Sequence, residues 1–268
     1  MADFQSIFDL TGKTAIITGA VGNLGPSFAK ALANFGANVA LLDVHEDRLD
    51  KLSKDICSST KVSSTYYVCD LTNSKAVKNT VHQIVTDHGM IDVLVNNAQA
   101  KDAIVCFENA SLADWRITSA INEEAVFLTS QAVGLQMIKQ QKGGSIINIS
   151  SIYGIMAPDH RIYQDANFGG SSMGSPAVYS YTKAGLIGLT RYLSTYWAHH
   201  NIRVNALTPG GVESSQSDNF KRQYNDRVPL QRMAQPLDLV GALVFLASDA
   251  SAYMTGQNLV LDGGLSAW

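Results

Sequence analysis

The stretch TAIITGAVGNLGP, Thr14 to Pro26, sets a short β-branched apolar run directly before a glycine-rich turn and the start of a helix. A run of this kind with no polar alternation reads as a strand covered on both faces. Gly19, Gly22 and Gly25 let the backbone turn sharply and come close to a phosphate. The helix that follows offers its free N–H groups and the positive end of its dipole. Pro26 suits a first helical turn, where a missing N–H costs little. The turn, with Asn23 and Leu24 inside it, is therefore expected to hold the pyrophosphate of a dinucleotide.

Outward from this turn the pattern repeats. NVALLD (Asn38 to Asp43), TYYVCD (Thr65 to Asp70), IDVLVN (Ile91 to Asn96) and SIINIS (Ser145 to Ser150) read as further strands, and IRVNALT (Ile202 to Thr208) and NLVLD (Asn258 to Asp262) continue the series. Between the first five lie segments with helical spacing of apolar residues, the last running from Leu112 to Lys142. Strand and helix in regular alternation predict an α/β protein built on a doubly wound parallel sheet of about seven strands with helices on both faces. No Pro/Ser-rich linker or repeat divides the 268 residues, so residues 1–268 are expected to form a single dinucleotide-binding domain.

The second expected strand ends at Asp43, 18 residues beyond Gly25. A carboxylate there accepts hydrogen bonds from an adenosine ribose diol and repels a 2′-phosphate. No Lys or Arg stands among Ala20, Val21, Gly22, Val44 and His45, so NAD is expected rather than NADP. Asp70 and Leu71 end the third strand, where the carboxylate could accept from an adenine amino group or cap a helix with Thr72 and Asn73. Asn97 and Ala98 close the fourth.

Composition narrows the class further. Lys plus Arg is 20 against 23 Asp plus Glu, for a net charge of −3. That leaves no basic footprint for nucleic acid or an anionic membrane. Charged residues make up only 16% of the chain, where soluble domains average about 25%. Surface that stays hidden in an assembly would explain the shortfall. The three cysteines, Cys57, Cys69 and Cys106, show no metal-ligand spacing and fit a reducing compartment. The N-terminal MADFQSIFDLTGK lacks the plan of a signal peptide, and the longest apolar run, Leu239 to Ala247, is about half a membrane span. A cytoplasmic protein without a metal is expected.

TGAVGNLG, Asp43, CDL, NNAQ, Asn122, INISSIYG, Tyr179-Ser180-Tyr181-Thr182-Lys183, PGGVES and TGQNLVLDGG, in that order, resemble the short-chain dehydrogenase/reductase family in its compact single-domain branch. The resemblance spans essentially the whole chain. It implies a Rossmann-type fold, a nicotinamide cofactor and a catalytic group of Asn122, Ser151, Tyr179 and Lys183. It further implies that the backbone around Pro209, Gly210 and Val212, with Ser214 in place of a usual threonine, meets the cofactor's carboxamide. A mobile substrate lid near residues 213–232 and a homo-tetramer or homo-dimer are also implied.

Three features depart from the family pattern. Gly22 and Asn23 stand where the turn usually has its glycine one place later, and Asn tolerates left-handed backbone. Gln99 replaces the glycine that ends the family's NNAG motif. Ser151 and Tyr179 lie 28 positions apart, roughly twice the usual interval.

The chemistry also follows from the residues. Exchange of a hydride between an alcohol and a nicotinamide needs a group that handles the hydroxyl proton near operating pH. Tyr179 and Lys183, four apart on a helix, share one face. A nearby ammonium favours tyrosinate and is expected to lower the tyrosine pKa. Ser151 begins Ser-Ile-Tyr-Gly and is expected to hold the substrate oxygen, with Ser150 a decoy. The enoyl-reductase spacing of Tyr and Lys is longer than this one, so alcohol or ketone chemistry is expected.

The insertion, residues 156–176, carries Asp159, His160, Arg161, Tyr163, Gln164, Asp165 and Asn167 ahead of a glycine- and serine-rich portion. It resembles that of bacterial oxidoreductases linked to surface-sugar and flagellin modification. With Tyr153, His160, Arg161 and Tyr163 as candidate contacts, a sugar, polyol or activated-sugar substrate is expected. Arg222, Arg227 or Arg232 of the lid could reach an anion. A 3-oxoacyl thioester reductase and a non-catalytic dinucleotide-binding regulator are the alternatives.

Overall fold

The computed structural model describes residues 6–100, 107–163 and 175–268. Its centre is a seven-stranded parallel sheet of β1 (Thr14–Thr18), β2 (Asn38–Asp43), β3 (Ser64–Val68), β4 (Val93–Asn96), β5 (Gly144–Ile149), β6 (Ile202–Pro209) and β7 (Asn258–Leu261). The order across the sheet is β3-β2-β1-β4-β5-β6-β7. Every residue of β1 is buried, as its unbroken apolar run requires when both faces are covered.

One face packs on α1 (Gly25–Asn34), α2 (Glu46–Ser59) and α8 (Pro236–Ala247), through residues such as Phe28, Ile56 and Leu243. The other packs on α3 (Ser74–His88), α5 (Ala125–Gln140) and α6 (Ala177–Tyr196), through Val81, Met137 and Leu193. The strand order reverses between β1 and β4, and at such a switch the loops beyond the strand C-termini part and leave a crevice.

The helical segment expected from Leu112 to Lys142 is interrupted. α4 (Leu112–Ser119) passes into a π-helical turn, Ala120–Glu124, before α5 begins. One wide turn shifts the register of every residue after it and turns the Asn122 side chain inward.

A third apolar cluster lies beyond the sheet. Ile162 and Tyr163, from the start of the insertion, pack with Phe220 and Tyr224 of α7 (Asp218–Asn225) and with Val228, Met233 and Leu265. Gln164, Asp165, Asn167 and the glycine- and serine-rich part of the insertion up to residue 174 fall outside the described residues, as does Cys106. Cys57 and Cys69 are free thiols. No described helix is long and apolar enough to cross a membrane.

The low charge content has a visible counterpart. Leu112 and Ile117 of α4, Phe127 and Leu135 of α5, and Tyr181, Tyr192 and Tyr196 of α6 are all exposed. Ala184, Gly185 and Gly188 also face outward on α6.

Candidate active site

The glycine turn is tightened at two points. Gly19 has φ of 60°, and a Cβ there would come within 2.7 Å of Ala98 Cα. A Cβ on Gly25 would lie 2.4 Å from the carbonyl oxygens of Gly19 and Ala20. Left-handed backbone falls on Gly19 and not on Asn23, so the displaced glycine is accommodated without the left-handed conformation that Asn23 could have tolerated. Asn97 pins the turn from β4: its Nδ2 donates to the carbonyls of Thr18 and Gly19 at 3.0 and 2.9 Å. α1 starts at Gly25 and Pro26 with no side chain capping its N–H groups.

These groups border a cavity of about 440 Å³ at the switch point, lined among others by Gly22, Asp43, Asp70, Leu71 and Ala98. Asp43 accepts from the N–H groups of Val21 and Val44 at 3.2 and 2.8 Å. Asp70 accepts from the backbone and hydroxyl of Thr72 at 2.9 and 2.7 Å, which holds its carboxyl below the ordinary range. The cap of α3 is Asn73 instead. A cation that the sequence reading passed over also borders the cavity: Arg48, in the first turn of α2, donates to the Val21 carbonyl. The cradle fits a dinucleotide, with uncapped N–H groups for its phosphates and a carboxylate for its ribose.

A second cavity, of about 370 Å³, adjoins the first and shares Asn23, Leu24 and Gln99 with it. Ser151, Tyr153, Tyr163 and Tyr179 border it, together with the loop from Pro209 to Val212 and Ser214. Tyr179, Thr182, Lys183 and Leu186 recur on the buried face of α6 at helical spacing. Tyr181, by contrast, is 58% exposed and packs at a tilt against Trp115.

Ser151 accepts from the Tyr153 N–H at 3.2 Å and hydrogen-bonds Tyr179. Ser150 is committed elsewhere, donating to the Lys183 carbonyl at 2.8 Å. Lys183 is 1% exposed; its Nζ donates to the Ile149 carbonyl at 2.8 Å and lies 5.6 Å from the centroid of the Tyr179 ring. Burial pushes Lys183 down to about 7. Burial also raises Tyr179, against a smaller lowering by the Ser151 hydroxyl. The sequence argument that a lysine charge draws Tyr179 down is therefore outweighed by burial, which raises the phenol and loosens the proton on the lysine itself.

The Asn122 amide donates to the Ala100 carbonyl and the Thr182 hydroxyl, both at 3.1 Å, and accepts from the Ala100 N–H at 2.8 Å. It thus ties the π-turn to the residue beside Lys183. On the far wall Gly210 donates to the Leu261 carbonyl at 2.9 Å, and the Gly211 N–H donates to the Tyr224 hydroxyl. Val212 bridges to Ala234.

The candidate substrate residues divide. The hydroxyls of Tyr153 and Tyr163 meet at 2.8 Å on the cavity wall. His160 and Arg161 are exposed and do not border the cavity. Arg161 pairs with Asp159 at 2.8 Å, and Asp159 also takes Arg227, just beyond α7, at 2.7 Å. These two guanidinium groups hold the Asp159 carboxyl well below the usual carboxylate range. Arg222 bonds Asn219, Arg232 pairs with Asp238, and Lys221 pairs with Glu213 at 2.7 Å. No group of three or more potential metal ligands occurs among the described residues.

A family model described as enoyl-(acyl carrier protein) reductase matches residues 19–266. The chain is 35% identical to the 3-oxoacyl-(acyl-carrier-protein) reductase FabG of Thermotoga maritima, over 96% of this chain and 98% of that protein. It is 32% identical to a ribulose-forming D-arabinitol 2-dehydrogenase of Candida tropicalis, over 97% and 95%. Among solved structures, a short-chain type dehydrogenase/reductase from Mycobacterium marinum superposes with a TM-score of 0.89 at 30% identity, covering 100% of both chains. A gluconate 5-dehydrogenase from Burkholderia cenocepacia J2315 in complex with NADP and tartrate gives 0.88 at 29% identity, with 98% of each chain covered. NAD+-bound xylitol dehydrogenase gives 0.83 at 31%, over 95% of this chain and 99% of that one.

Proposed function

Because the chain belongs to the short-chain dehydrogenase/reductase family, we propose that it is an NAD-dependent oxidoreductase that interconverts a secondary alcohol and a ketone, acting as one domain on a neutral polyol or sugar. The observation that carries this reading is the meeting of Ser151 and Tyr179 in a cavity that opens onto the dinucleotide cradle, with buried Lys183 against the Tyr179 ring behind its wall. When bound, the nicotinamide supplies or accepts the hydride.

The chain's own residues handle the proton. Tyr179 Oη takes it from the substrate hydroxyl during oxidation and returns it during reduction, while the Ser151 hydroxyl orients the same substrate oxygen. Lys183 is held by the Ile149 carbonyl under the Tyr179 ring. At its lowered pKa it exchanges a proton near neutrality and so balances the charge on the phenol. Asn122 fixes the stretch of α6 that carries both. The loop from Pro209 to Ser214 walls the nicotinamide side.

Asp43 supports NAD: its carboxylate lies against the turn at the ribose end of the cradle and repels a 2′-phosphate. Arg48, the cation nearby, is spent on the Val21 carbonyl. A neutral substrate is supported by the pairing of the surrounding cations. Arg161, Arg227, Arg232 and Lys221 all face carboxylates, whereas hydroxyls and amides, those of Tyr153, Tyr163, Ser214 and Gln216, border the cavity. An acyl-carrier thioester fits this wall less well. The exposed apolar residues of α4, α5 and α6 support a homo-oligomer.

Initial rates with NAD and with NADP across xylitol, D-arabinitol, D-threitol, gluconate and a 3-hydroxyacyl thioester test the reading. Turnover of a neutral polyol with higher kcat/KM for NAD is expected, and turnover of the thioester alone would reject it.

A further inference from the structure

Gln99 stands where the family motif ends in glycine, and a glycine there would put no side chain into the site. In this chain the side chain reaches the Tyr179 hydroxyl, which donates to Gln99 Oε1 at 3.4 Å across 80 residues of sequence. Gln99 also borders both cavities. Its amide therefore lies at the junction where the phenol must meet both partners of the reaction.

Two neutral groups thus act on one phenol oxygen in opposite senses. The Ser151 hydroxyl bonds to Tyr179 in the sense that favours tyrosinate. A carbonyl that accepts the O–H favours the protonated phenol, since tyrosinate has nothing to donate to it. The other groups facing Tyr179 are Lys183 on its own helix, Tyr153 just beyond β5, Tyr163 of the insertion and, behind them, Tyr224 of α7. Among the described residues Lys183 is the one charged group in this set, and its hydrogen bond goes to Ile149.

We infer that Gln99 is a positioning residue for Tyr179, its amide carbonyl holding the phenol O–H at the junction of the two cavities and stabilising the protonated form. This rests on the proposed acid/base role of Tyr179. The proton taken from an alcohol is retained longer with Gln99 than with a glycine at that position, and the phenol is kept as a donor for the reverse, ketone-reducing step.

The test uses the full chain and no substrate. A tyrosinate attracts the cationic ring of oxidised NAD, so NAD affinity followed by tryptophan fluorescence above about pH 8.5, clear of the Lys183 titration, reads the ionisation of Tyr179. Tyr179→Phe should remove that inflection while leaving NAD bound. Gln99→Leu, which cannot accept, should move the inflection down by about half a pH unit. Gln99→Glu, which accepts more strongly and repels tyrosinate, should move it up by about one unit. Shifts of opposite sign are not produced by loosening alone.

If Tyr179→Phe removes the inflection but the two Gln99 variants leave it in place, or both move it the same way, the inference is overturned and the proposed function stands. Failure to bind NAD, or an inflection in that alkaline range that survives Tyr179→Phe, would overturn the proposed acid/base role and the inference with it. Unfolding midpoints within a few degrees of wild type are expected for both Gln99 variants, because the side chain is open to the cavities.

Discussion

Replacing Lys183 by Met should change how the stability of this protein depends on pH. Lys183 is 1% exposed, and burial brings its pKa from 10.5 to about 7. Below pH 7 the folded state carries a buried ammonium whose desolvation opposes folding in full. Between about 7 and 10.5 the unfolded chain keeps the proton that the folded chain has released, so unfolding takes up a proton and stability rises with pH. The limiting slope for one proton is about 1.4 kcal/mol per pH unit. Allowing for partial titration near the folded pKa, wild type gains roughly 2 kcal/mol between about pH 7 and 9. Lys183→Met, of similar length and without a charge, gains none of this. Urea unfolding of both proteins across that range measures the difference, and groups remote from the site cancel in it. Running both in a Tyr179→Phe background removes the coupled phenol. A difference that is flat from pH 7 to 9 would refute the reasoning. One that falls would mean that the cavity stabilises the ammonium.

Two other outcomes follow from contacts described above. Asp159→Ala frees Arg161 and Arg227, but all three are partly exposed, so the loss of stability should stay below about 1 kcal/mol. Substrate KM should nevertheless rise several-fold while NAD affinity holds, which steady-state kinetics and equilibrium binding would separate. Light scattering should find an oligomer, with the exposed faces of α4, α5 and α6 as its contact; charge placed there, as in Phe127→Lys with Leu135→Lys, should shift it towards smaller species.

Much of this architecture was legible because parallel strands buried on both faces must be continuous apolar runs. All seven strands lie within two residues of the bounds expected from that rule. Tyr179 and Lys183 were legible from a spacing of four, and the glycine turn from its place between a strand and a helix. What sequence could not supply were contacts closed by the tertiary fold. Gln99 was visible as a departure, but its partner lies 80 residues away. Arg48 sits beyond the positions where a cation was sought, and the start of α2 turns it back to Val21. The insertion was read as a polar rim, yet polarity does not say which way a side chain points: Tyr163 turns in and Arg161 turns out. The π-turn at Asn122 has no periodic signature, since five residues are too few to break a helical pattern.

The contact between Asp159 and Arg227 joins positions 68 residues apart. It lies beside the packing of Tyr163 on Phe220, whose ring centroids are 5.2 Å apart. The start of the insertion, through Tyr163, and the α7 segment therefore form one wall assembled from two segments of chain, and a change to either is felt by the other. Substitutions there should be epistatic. A library that diversifies the α7 segment alone would sample mostly mismatched walls, whereas recombining it from relatives together with its paired insertion segment would vary the substrate range and leave the sheet and the dinucleotide cradle untouched.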